Sequence, residues 1–228
     1  MADRHDYGTF SKAVPRLLKP LIEHLGYEHI KGTAFGRQRD GWIEGFFLHQ
    51  TGWGGGYFWI EAGINVPQLN ELWQNDLPTP FGLIIGERLD SKGLHPGSAS
   101  YPADNKIELK SSLEAVARDL ASADTWFAQF QSLADVARAY TLHNGGALAA
   151  VNSGCLLLLA GKTAEAKAKL ESARQQWQKI VHDEDPHLQR KSPGKEALKF
   201  HQLNVHRLNV VEAALLRLHE ADVEKPLT

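Results

Sequence analysis

A chain of 228 residues, 43% hydrophobic and 23% charged, is long enough for one or two domains with a sizeable core, burying about 70% of its unfolded surface. Its 25 basic and 27 acidic residues leave a net charge of -2, which excludes a global basic field for holding nucleic acid or an anionic membrane. The single cysteine, Cys155, excludes an intramolecular disulfide, residues 1–6 lack the apolar stretch of a secretory signal, and the longest apolar run, 155–160, falls far short of the ~20 residues of a membrane span, so a soluble cytoplasmic chain is expected.

In chain order, Phe10, Val14, Leu17, Leu18, Leu21, Ile22 and Leu25 form the apolar stripe of a first helix, with Thr9 as its N-cap and Gly26 as its end. Pro15 and Pro20 each remove a backbone donor, which predicts a kink or break near Lys19. Strands are predicted over 27–39 with a turn at Lys31-Gly32, over 42–51 and over 57–66, separated by Asp40-Gly41 and the glycine-rich run 52–56, as in an antiparallel meander. Pro67 precedes a short helix over 68–74, residues 81–89 supply one further strand, and the Gly- and Pro-bearing run 91–105 reads as an extended loop.

Composition then changes. The part up to Lys106 holds 15 of the 20 glycines and 14 of the 20 aromatics, whereas the remainder holds 20 of the 26 alanines. Glycine and aromatics suit turns and strands, and alanine costs no side-chain entropy in a helix, so an α+β domain over 1–106 and an all-helical domain or extension over 107–228 are expected. At least two helices fit the apolar spacing from Leu113 to Tyr140. Asn144-Gly145-Gly146 breaks the chain, and helices over 147–160 and 163–182, joined only by Gly161-Lys162, make a tight hairpin. A loop over 183–194 leads to a last helix over about 195–218. The fold class is thus α+β, an antiparallel sheet packed by helices and followed by a helical bundle.

Leu25-Gly26-Tyr27, then Phe35-Gly36-Arg37, then Phe47-Leu48-His49-Gln50-Thr51 before a glycine-rich turn, then Phe58-Trp59-Ile60-Glu61-Ala62-Gly63-Ile64, together resemble the bacterial domain-of-unknown-function 4304 family over about residues 10–130. The resemblance implies an α+β fold and a bacterial origin, and transfers no activity and no catalytic residue. Several small bacterial folds of this general look serve as immunity partners of secreted toxins, which is an analogy of fold alone. Residues 154–173 are similar to the inner turn of a tetratricopeptide repeat, with small residues at Gly161, Ala166 and Ala173. One such unit is visible where a solenoid needs about three, so a single helical hairpin is expected in place of a peptide-binding superhelix.

The chemistry-bearing residues are mostly explained without catalysis. The run 52–56 joins two strands and not a strand to a helix, which opposes a phosphate loop. His182-Asp183-Glu184-Asp185-Pro186-His187 matches no metal-ligand spacing and reads as a hydrated loop, and His201 and His206, five apart, do not share one helical stripe. Cys155 lies among leucines, where desolvation suppresses the thiolate. Ser98 and Ser100 have no base at a diagnostic spacing. No metal and no cofactor are expected.

Alternation in the strand over 57–66 places Phe58, Ile60, Ala62, Ile64 and Val66 on a core face, and Tyr57, Trp59, Glu61 and Asn65 on the other. Glu44 or His49 joins the second face depending on the register of the neighbouring strand. Two readings stand for this face: helices cover it and use its rings as core, or it meets a partner. The favoured function is non-enzymatic protein binding through Trp53, Tyr57, Trp59 and Glu61, with Arg37 as a peripheral charge. The rival is a small-molecule sensor or enzyme with a pocket between sheet and C-terminal helices, using Glu44, Glu61 or His49 as polar groups. A helical scaffold that oligomerises through 147–182 is the third possibility.

Overall fold

A computed structural model describes residue 6 and residues 8–50, 56–72, 83–88, 100–143, 145–188 and 194–223. Helix α1 (Phe10–Ile22) runs unbroken through Pro15 and Pro20, so the break predicted near Lys19 does not form. An interior proline costs about 3 kcal/mol. Here Phe10, Val14, Leu18 and Ile22 are buried on one stripe, each contributing roughly 1.5–3 kcal/mol, which outweighs the two lost donors. Thr9 has the extended backbone of an N-cap but makes no side-chain cap; its carbonyl accepts from the Lys12 and Ala13 amides. A 3-10 turn over Glu23–Leu25 ends at Gly26, whose φ of 79° is the left-handed conformation that favours glycine.

Strands β1 (Glu28–Lys31), β2 (Ala34–Arg39), β3 (Trp42–Gln50), β4 (Tyr57–Asn65) and β5 (Leu83–Arg88) pair in that order, each antiparallel to the next, as the meander pattern predicts. Short strand β6 (Tyr101–Pro102) also pairs with β4, at Tyr57 and Phe58, inside the run expected to be loop. It is held by its side chains and neighbours. Tyr101 is buried and stacks on Phe58 at 5.2 Å, its hydroxyl donates to Asp119 at 2.8 Å, and the Pro102 carbonyl accepts from Ser112 at 2.7 Å. Helix α3 (Lys106–Phe127) begins at Asn105, whose side chain accepts from the Ile107 and Glu108 amides.

The core lies on the Phe58 side of the sheet. Phe58, Ile60, Ala62, Ile64 and Val66 are fully buried, as their alternation predicts. Phe10 of α1 meets Phe58 at 5.2 Å, and Phe35, Phe46 and Tyr27 pack on one another nearby.

The chain divides into two compact units, Met1–Pro67 with Leu77–Phe130, and Gln68–Asp76 with Gln131–Thr228. The division thus falls after Phe130 and not after Lys106. The physical reason is that α3, although alanine-bearing, packs on α1 and β6 and belongs to the sheet unit. Short helix α2 (Pro67–Leu72) starts at the proline itself, where the chain leaves the first unit.

The second unit holds α4 (Leu133–His143), α5 (Gly146–Leu159), α6 (Thr163–Leu188) and α7 (Lys195–Val223), in which α5 packs on α4, α6 on α5 and α7 on α6. Helix α6 continues through Pro186, so the acidic run Asp183-Glu184-Asp185 is its end and not an interhelical loop. The α5–α6 hairpin turns at Gly161, with φ 72°, and Ala166 and Ala173 are buried as close-packing residues. The tightest approach is at Gly154, where a Cβ would stand 2.7 Å from Leu170 Cγ. Asn152 is buried and donates to the Tyr140 hydroxyl at 2.8 Å, tying α5 to α4. Burial pushes the Cys155 thiol up to about 12, with Arg217 opposing, so the residue is packing and not a nucleophile. Among the described residues no helix is long and apolar enough to cross a membrane.

Candidate functional site

The β3–β4 register decides which side chains share a face. Pairing runs without a shift from Ile43 opposite Asn65 to Gln50 opposite Phe58, so Phe47 stands opposite Glu61 and His49 opposite Trp59. Directly opposed residues of an antiparallel pair point to the same side. Phe47, His49, Tyr57, Trp59 and Glu61 therefore form one cluster on the face away from the core, while Glu44, opposite Ile64, lies on the core side.

The cluster is organised internally. The His49 ring stacks on Trp59 with centroids 4.8 Å apart and planes 14° apart, and meets Phe47 edge-on at 3.9 Å. His49 Nε2 lies 3.1 Å from Glu61 Oε2, so an N–H on that nitrogen donates to the carboxylate. Two ring contacts and one polar contact thus limit the rotamers of Trp59, His49 and Glu61 before anything binds. Tyr57 is 49% exposed, the His49 and Glu61 side chains are 32% and 36% exposed, and Phe47 and Trp59 are half-buried.

Exposure is graded along this face. Gly36, Gly45, Gly63 and Gly86 stand opposite one another across β2, β3, β4 and β5, a transverse row without side chains. Gly36, Gly45 and Gly63 are buried, as is Asn65 beyond them, whereas the aromatic end is accessible. The face is thus buried at its Asn65 end and exposed at its Tyr57 end.

Arg37 does not belong to this cluster. It pairs with Glu44 across β2–β3 and so points to the core side, the opposite face from Tyr57, Trp59 and Glu61. Its Nε donates to Glu44 Oε2 at 2.8 Å, one terminal nitrogen donates to Asp124 of α3 at 2.6 Å, and the other reaches the Leu25 carbonyl at 3.3 Å. Its guanidinium also lies 4.8 Å over the Tyr27 ring. Arg39 reaches the second Glu44 oxygen at 3.0 Å. Glu44 is fully buried, and these two arginines neutralise it. Burial works to lower the pKa of Arg37, but Tyr27 and the bonds to Glu44 and Asp124 raise it on balance, so Arg37 stays charged and structural. The nearby Tyr27 hydroxyl is raised well above the ordinary tyrosine range by burial, with Asp124 and Glu44 adding to the shift and Arg37 opposing it.

Because Glu44 and Glu61 lie on opposite faces, they do not form the acid/base pair that a two-carboxylate mechanism requires. Trp53 lies outside the described residues, as do Ser98 and residues 52–55 of the glycine-rich run. Sequence reasoning missed Phe47 altogether. The available signal was the alternation of Phe47 and His49 against buried Phe46 and Leu48 in β3.

Comparison of the chain with protein-family models, with curated proteins and with solved structures finds no match.

Proposed function

We propose that this chain is a non-enzymatic protein-binding module whose partner docks on the accessible end of the Tyr57 face. The observation that carries the reading is the coexistence of a 49% exposed Tyr57 with a half-buried Trp59 that His49 already holds in place. Tyrosine and tryptophan supply large contact area at low entropic cost and dominate binding hot spots. Fixing Trp59 beforehand removes part of the ordering cost of association. A bacterial origin is what the resemblance to the domain-of-unknown-function 4304 family implies, a cytoplasmic setting rests on the single cysteine, and an immunity-like role rests on an analogy of fold alone.

The test compares partner capture by the intact chain with capture by Tyr57→Ala and Trp59→Ala. Ile107→Ala is the control, being 82% exposed on α3. Each face substitution is expected to remove about 2 kcal/mol, roughly a thirty-fold loss of affinity, with the control unchanged. Equal recovery of every captured protein by all four chains rejects the assigned surface.

A further inference from the structure

We infer that the partner presents a cationic side chain, an arginine in its best-fitting form, to Glu61 beside the Tyr57 and Trp59 rings. The inference rests on the docking reading above and names the chemistry of the partner at that face.

Glu61 is the only acidic side chain among the described members of the cluster, and its single polar contact there is with His49 through Oε2. A carboxylate offers about four acceptor sites. His49 contacts one oxygen, Oε2, and the side chain is 36% exposed. Successive same-face residues of a strand are only ~7 Å apart, so a partner that covers Tyr57 and Trp59 also covers Glu61. Desolvating a carboxylate without supplying a matched donor opposes binding strongly. An apolar partner surface therefore fits the rings and is rejected by the carboxylate beside them.

A cation satisfies both. Aromatic faces attract cations through their quadrupoles, and a guanidinium stacks on a ring while its edge donates to a carboxylate in two parallel bonds. Trp59 and Glu61 stand two residues apart on one side of β4, which places ring and carboxylate together for that geometry. Arg88 stands opposite Glu61 in the β4–β5 register, so an Arg88 substitution serves as a control.

The experiment is a heteronuclear NMR titration of the full chain with a blocked Gly-Arg-Gly peptide and with its citrulline counterpart, a neutral near-isostere. The arginine peptide is expected to shift the Trp59 indole, the Tyr57 ring and the Glu61 amide, binding about 5-fold more tightly than the citrulline peptide. Glu61→Gln is expected to abolish that difference, and Arg88→Ala to leave it intact or enlarge it. Equal responses to the two peptides, or no response at these residues up to roughly 50 mM peptide, overturn the inference. Partner capture separates the two claims. Loss with Trp59→Ala but full retention with Glu61→Gln rejects the cation and keeps the docking face, whereas retention with both rejects the face itself.

Discussion

Replacing Arg37 with methionine probes the strongest polar constraint in the sheet unit. The substitution leaves Glu44, fully buried, with Arg39 as its one remaining cation, and Arg39 is itself 40% exposed. Breaking a buried pair from one side costs about 3–5 kcal/mol. Because Arg39 persists, the lower end applies, with the lost stacking over Tyr27 adding about 0.5–1 kcal/mol. A destabilisation of about 3–4 kcal/mol lowers the urea midpoint by roughly 1.5–2 M for a slope near 2 kcal/mol/M. Hydrogen exchange at the β2–β3 amides isolates this unit from the helical one. Asp124→Ala removes the other carboxylate partner, but that side chain is 42% exposed, and solvent screening holds the loss to about 1 kcal/mol or less. The double variant Arg37→Met/Glu44→Leu is expected to recover most of the loss, since no orphaned charge remains. The reasoning is refuted if Arg37→Met costs no more than Asp124→Ala, or if the double variant is as unstable as the sum of its singles.

Other consequences follow from burial. Cys155 is expected to resist a thiol-directed disulfide reagent at pH 8 in the folded chain and to react within seconds in denaturant; comparable rates in both states would contradict its burial. Gly154→Ala is expected to cost about 1–3 kcal/mol by driving a methyl against Leu170, and Leu170→Ala in the same chain to reduce that increment; a neutral Gly154→Ala would show that α5 and α6 separate freely. The raised pKa of Tyr27 contributes stability that is complete below the unfolded tyrosine value of about 10 and is lost progressively as pH rises above it through the higher folded value. Tyr27→Phe is therefore expected to flatten the fall in thermal stability above that pH; an unchanged alkaline slope would place Tyr27 in solvent.

Period-two alternation made β4 readable, because Phe58, Ile60, Ala62, Ile64 and Val66 are apolar without exception and fully buried. The side to which Arg37 points was less plain, since Ala34, Phe35 and Gly36 are all buried and β2 shows no alternation. The two-residue Asp40-Gly41 connection held the clue. It sets Arg39 opposite Trp42 and hence Arg37 opposite Glu44, a cross-strand pair of opposite charges. Composition misplaced the unit boundary because alanine marks helix and not the surface on which a helix packs, as α3 illustrates. Strand β6 gave no local signal, being two residues long with one of them proline; Tyr101 is placed by distant contacts to Phe58 and Asp119. Helix α6 outlasted Pro186 for a reason that nothing in the structure explains.

Hydroxyl-radical footprinting of the chain, alone and with its captured partner, addresses the docking face most directly. Tyr57 and Trp59 are expected to oxidise readily in the free chain and to be protected in the complex, with Tyr27 and Tyr101 protected in both and exposed Ile107 and Leu142 unchanged. Protection that falls on Ile107 or Leu142 while Tyr57 oxidises equally in both states would contradict the assignment.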